Sequence, residues 1–84
     1  MLYQNYPNPF NSRTNIRYDL PESGHVRIRV YDILGSEITT LVNSEAVIGK
    51  YIIHWAPHHQ GSGVYFVRIE STGFERTRKM VLLK

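Results

Sequence analysis

Four histidines, His25, His54, His58 and His59, are the side chains best suited to metal or acid–base chemistry, and three of them crowd one short window. A zinc site needs several ligands that converge, with outer partners to orient them. His58 and His59 are adjacent and point apart on an extended chain. No acidic residue stands between His54 and Glu70 to complete a set. These residues read as exposed loop histidines that titrate near neutrality, not as a metal centre. Ser62, in Gly61-Ser62-Gly63, precedes a strand, whereas a nucleophile elbow places G-x-S-x-G between a strand and a helix. Asp19, Asp32 and the glutamates fall at outward strand or turn positions, so no carboxylate pair is indicated. The glycines spell neither a phosphate loop nor a dinucleotide fingerprint. The absence of Cys removes thiolate metal sites, iron–sulfur clusters, disulfides and a thiol nucleophile. The reading is of a non-catalytic chain without cofactor or metal.

Aromatic and basic residues leave two further chemistries to weigh. The chain has six Tyr, three Phe and one Trp, enough for a sugar-binding platform if several share an open face. Phe10, Tyr18, Tyr51 and Trp55 instead fall in phase with aliphatic residues and read as core. Arg17, Arg27 and Arg29 read as a stripe on one solvated sheet face. Arg76, Arg78 and Lys79 read as a solvated strand face, not a phosphate site. The formal net charge of +3 does not establish a nucleic-acid partner, and none is expected.

The elements that must carry these side chains are short strands. Tyr3 to Ser12, with two prolines and three asparagines among aromatics, reads as an extended arm over residues 1–13 that docks Tyr6 and Phe10 on a core. Ile16, Tyr18 and Leu20 alternate with polar residues, as do Val26, Ile28 and Val30, so two strands flank the turn Pro21-Glu22-Ser23-Gly24. An antiparallel hairpin is the expected pairing. Gly35 is expected to supply a positive φ in a second turn. Glu37 to Val42 reads as a weaker strand, and Asn43 to Gly49 as a loop or single helical turn. Lys50 to Trp55 puts Tyr51, Ile53 and Trp55 on one face. Gly63 to Glu70 is apolar on both faces over its first half, as in a central strand. A last strand runs through Met80 to Leu83. No stretch has a sustained helical period, and none approaches the ~20 apolar residues of a membrane-spanning helix.

Eighty-four residues make one domain and bury too small a core for a deep catalytic cavity. The fold expectation is all-β: an immunoglobulin-like antiparallel β-sandwich of about seven strands spanning residues 1–84. A five-stranded nucleic-acid-binding barrel is the structural alternative. Met1 leads directly into domain-like sequence without a signal peptide, which predicts an excised piece of a longer protein.

Six segments together resemble a known family: Leu2 to Asn11, Ile16-Arg17-Tyr18-Asp19-Leu20-Pro21, Val30-Tyr31-Asp32 followed by Gly35, Gly49-Lys50-Tyr51 leading to Trp55, Ser62 to Phe66, and Lys79 to Lys84. In this order and spacing the chain is similar to the C-terminal sorting domain (type A) of type IX secretion cargo, and more distantly to the immunoglobulin-like domain of flagellar hook-capping proteins. The resemblance implies a signal at the C-terminus of a larger secreted protein from a Bacteroidota-like bacterium. It implies passage through the periplasm to the cell surface or beyond. The implied partners are the outer-membrane translocation machinery, a sortase-like cysteine peptidase and the upstream cargo domain. The family's Gly-x-Tyr motif maps to Gly49 and Tyr51, and its terminal basic-apolar motif to Lys79, Met80, Val81, Leu82, Leu83 and Lys84. These are the expected recognition residues. Ser12 and Ala56 depart from the family pattern, as does the loop Pro57-His58-His59-Gln60. If the last strand lies at a sheet edge, its free backbone groups are expected to accept a partner strand. The alternative function is an accessory module that binds polysaccharide or packs on a neighbouring catalytic domain.

Overall fold

A computed structural model describes all residues, Met1 to Lys84. Six strands form without any helix: β1 (Thr14–Leu20), β2 (Gly24–Asp32), β3 (Glu37–Ala46), β4 (Gly49–Trp55), β5 (Gly63–Ser71) and β6 (Phe74–Leu82). They make two antiparallel sheets, one of order β1-β4 and one of order β3-β2-β5-β6. Both sheets and the N-terminal arm contribute to one core. Ile16, Val26, Ile28, Val30, Val67, Ile69, Met80 and Leu82 are wholly buried there. The all-β sandwich expectation holds, with six strands in place of about seven. The seventh place belongs to the arm, which makes only isolated bridges, Leu2 to Tyr18, Tyr6 to Asn15 and Phe10 to Leu82.

The expected β1–β2 hairpin does not form. β1 pairs with β4 and β2 with β3 and β5. Both strands carry an apolar stripe, and crossing between sheets lets these stripes meet face to face instead of lying side by side. Pro21 lacks the N–H that a continuing ladder would use. Gly24 lets the returning chain pass the β5–β6 turn, because a Cβ there would sit 2.4 Å from Thr72 Oγ1. The crossing also separates the supposed arginine stripe: Arg17 belongs to the two-stranded sheet, Arg27 and Arg29 to the other.

β3 runs on to Ala46, through the stretch expected to be loop or helix. Its register against β2 shifts twice, between Ile28 and Arg29 and between Val30 and Tyr31. The residues of β3 left without a partner are Leu41 and Ile38, and both pack on the core. Two bulges thus turn extra aliphatic side chains inward and blur the alternation. β5 is central in its sheet, as expected, with Tyr65, Val67 and Ile69 buried.

Candidate recognition surface

The arm closes one side of the sandwich by pairing with an edge of each sheet. Along β1, Tyr3 N–H donates to Arg17 O at 3.0 Å, and Tyr6 and Asn15 exchange both backbone bonds at 2.9 and 2.8 Å. Along β6, Gln4 Nε2 donates to Lys79 O at 2.7 Å, and Val81 N–H donates to Asn8 Oδ1 at 2.9 Å. Phe10 N–H donates to Val81 O at 3.0 Å, and Leu83 N–H donates to Phe10 O at 2.8 Å. β6 does lie at a sheet edge, but the outward backbone groups of its last turn of strand are already occupied. Strand addition to Lys79–Leu83 therefore requires displacement of the arm.

Two buried side chains anchor the arm, Leu2 and Phe10, with the Phe10 ring 5.7 Å from that of Trp55. Asn5 is buried as well; its Nδ2 donates to Pro7 O and Thr14 Oγ1, and its Oδ1 accepts from Gln4 Nε2. Burial of a primary amide is tolerable because its polar atoms are bonded. Tyr6, expected in the core, is 77% exposed. Its backbone exchange with Asn15 fixes the strand face, and Leu2 and Phe10 already fill the inward positions.

The expected recognition residues divide between the two sheets. Gly49 and Tyr51 lie where β4 begins, opposite Leu20 and Tyr18. The Tyr51 ring stacks on that of Tyr18 at 5.2 Å, and its hydroxyl donates to Val47 O at 2.6 Å. Burial and the neighbouring Tyr51 raise the Tyr18 pKa above its ordinary value. Tyr51 thereby ties the β3–β4 connection to the core, and a Cβ added at Gly49 would meet the Tyr51 ring at 3.8 Å. The terminal group lies on the edge strand of the other sheet, running from Lys79 beside Gln4 to Lys84 beside Ser62. There Met80 and Leu82 are buried, Val81 is half-buried, and Lys79, Leu83 and Lys84 are exposed. Lys84 N–H donates to Ser62 Oγ at 2.8 Å.

The outer face of the four-stranded sheet is split into two halves. In one, Arg27 and Arg29 of β2 and Arg68 of β5 meet Glu37, Glu70 and Glu75. Glu70 lies at the centre, and the hydrogen bond from Arg29 is the main cause that holds its carboxyl below its ordinary value. The three arginines here are each paired with a glutamate. In the other half, Tyr31, Val64, Phe66 and Val81 are half-buried with no layer above them. Beyond them the β2–β3 turn carries Ile33 and Leu34, 68% and 88% exposed. Sequence reasoning took the two-faced apolar character of Val64 to Phe66 as a sign of a central strand. The same signal marks an uncovered apolar surface.

No group of three or more His, Cys, Asp or Glu side chains is placed to hold a metal. His54 Nδ1 pairs with Asn15 Oδ1 on the outer face of the two-stranded sheet, and His58 and His59 are exposed in the β4–β5 loop. His25 Nε2 pairs with Asn43 Oδ1 at 2.6 Å. A polar depression of about 220 Å3 between Tyr3, Arg17, Asp19, Lys50 and Tyr51 is narrowed by the hydrogen bond from the Tyr3 hydroxyl to Asp19. No helix is long and apolar enough to cross a membrane.

Comparison with known proteins adds one match. A family model described as the secretion system C-terminal sorting domain matches residues 4–83, which takes in all six strands and most of the arm. No curated protein matches, and no solved structure does.

Proposed function

Given that the chain belongs to the secretion system C-terminal sorting domain family, and so is a sorting signal for type IX secretion, we propose how it acts as one. The observation that carries the reading is the match over residues 4–83, which covers the folded unit instead of a terminal peptide. A sorting domain is bound and not turned over, and its family is not a catalytic one. It directs export to the cell surface or the extracellular space. The polysaccharide-binding alternative is not favoured.

The proposed placement is at the C-terminus of a larger secreted protein, with a periplasmic stage before the outer membrane. The outer-membrane translocation machinery engages the folded domain, and a sortase-like cysteine peptidase cuts upstream of Leu2. Among the motif residues, Lys79, Leu83 and Lys84 are exposed and available to be read as side chains. Met80 and Leu82 hold β6 through the core, and Tyr51 ties the β3–β4 connection to it. The test is deletion of Met80–Lys84 from a cargo protein carrying this domain, in a bacterium with the type IX machinery. The cargo is expected to stay in the periplasm, and normal surface delivery overturns the reading. Circular dichroism of the shortened domain reports whether retention reflects unfolding. The Lys79→Ala, Lys84→Ala pair tests side-chain reading in a domain that keeps its fold.

A further inference from the structure

The β2–β3 turn is rigid although its two apolar side chains face water. Asp32 Oδ1 accepts from Leu34 N–H and from Ser36 N–H, each at 2.9 Å, and Gly35 N–H donates to Asp32 O at 3.0 Å. Gly35 adopts φ +87°, a conformation that side-chain-bearing residues rarely adopt. The side-chain oxygen of Asp32 thus builds a fixed loop, as acidic residues do in turns. Ile33 and Leu34 are held outward by main-chain geometry and not by burial. Next to them a hollow of about 280 Å3 opens over Tyr31 and Phe66. Val64 and Val81 extend the apolar surface toward the edge strand.

We propose that this tip and apolar half-face form the docking surface through which the translocation machinery grips the domain, with Ile33 and Leu34 entering an apolar pocket of a protein partner. The inference rests on the sorting reading and names the surface of contact. An apolar centre inside a polar rim of Asp32, Arg68, Thr77 and Lys79 is the anatomy of a protein interface. Two rigid anchors lose little freedom on binding, which is how a small contact gains affinity. Charge decides against an anionic lipid surface or a nucleic acid. The tip is flanked by Asp32 and Glu37, the arginines beside it are paired, and the only free cation of this half, Lys79, stands on the far strand.

The test fuses the whole chain to the C-terminus of a secreted reporter in a type IX-competent bacterium and compares surface with periplasmic reporter. Ile33→Ser, Leu34→Ser is expected to lower surface delivery about tenfold or more, the usual scale for losing interface anchors, with an unchanged melting curve. Phe66→Thr tests the half-face by a second route and is expected to act in the same direction. Val47→Ser, Ile48→Ser removes exposed aliphatic residues, 67% and 63% exposed, from the opposite end and is expected to be silent. Wild-type delivery by both the tip variant and Phe66→Thr overturns the proposal. Equal loss from the tip and the opposite end also overturns it. Failure of the wild-type fusion to reach the surface instead overturns the sorting reading and this inference with it. Co-sedimentation with vesicles of mixed zwitterionic and anionic phospholipid, or a dimer in analytical ultracentrifugation, either one abolished by the tip substitutions, reassigns the surface and refutes the assignment to a protein pocket of the machinery.

Discussion

Replacing Phe10 by Ala tests whether the arm is part of the fold or an attachment to it. Phe10 is 2% exposed and packs on Trp55, whose ring also meets Tyr65 edge-on at 5.5 Å. Truncating such a residue costs about 3–5 kcal/mol through lost burial and the cavity left behind. A domain of this length has about 4–13 kcal/mol of stability in all. At about 4–8 °C per kcal/mol for a domain this small, Phe10→Ala melts at least about 12 °C below wild type. Tyr6 is the internal reference, being four residues away in the same arm and 77% exposed; Tyr6→Ala changes stability by less than about 0.5 kcal/mol. The assay is far-ultraviolet circular dichroism during heating, with hydrogen exchange at the Val81 and Leu83 amides as a local reporter. Both amides donate to the arm, so both lose protection in Phe10→Ala. A Phe10→Ala domain that melts within about 3 °C of wild type refutes the reasoning, as does one that keeps both amides protected.

Two other outcomes follow from local contacts. Glu70 is held below its ordinary value of 4.5 by Arg29 first and then by Arg27 and Arg68. Its stabilising contribution is complete above pH 4.5 and is lost as pH falls through the lower folded value; Glu70→Gln therefore flattens the fall in melting temperature on acidification below pH 4.5, and an unchanged slope refutes the coupling. Tyr51→Phe removes the hydroxyl that donates to Val47 O but keeps the ring stacked on Tyr18; it costs about 0.5–1.5 kcal/mol in denaturant titration, and a loss several times larger disproves that the hydroxyl contributes only this bond.

The strands that bury one face and wet the other were legible as sequence. Val26, Ile28 and Val30 against Arg27 and Arg29 is the clearest case, because period two follows directly from the pleat. Partition into sheets was not legible. A short Pro-containing link between β1 and β2 fits a hairpin and a crossing equally well, and the choice depends on which arrangement buries the stripe of Ile16, Tyr18 and Leu20 in one core with Val26, Ile28 and Val30. β3 was read short because Asn43-Ser44-Glu45-Ala46 has no apolar alternation and few β-formers, and its strand state comes from pairing with Gly24 to Arg27 of β2. Tyr6 and Phe10 looked equivalent, since composition does not record which side of the backbone each occupies. The motif residues mix two demands: Tyr51, Met80 and Leu82 serve the core, whereas Lys79, Leu83 and Lys84 face solvent. Asp32 and Gly35 were read as a turn, but two exposed aliphatic residues in a turn carry no signal until the geometry shows them fixed.

The pairing of the arm with the last strand has a consequence for biosynthesis. Gln4 reaches Lys79, Asn8 reaches Val81 and Leu2 O accepts from Arg78, contacts separated by 75, 73 and 76 positions. Such contacts close the longest loops available to the chain, and they form late. While the ribosome still holds β6, the arm has no second edge to grip, and Phe10 has lost the neighbours at Leu82 and Leu83. Completion of the fold therefore waits for release of the final strand. A chain that stops short of Leu83 holds its arm through β1 alone, and the second edge forms only once Leu83 is present. The domain thus closes its core only when β6 has joined the arm.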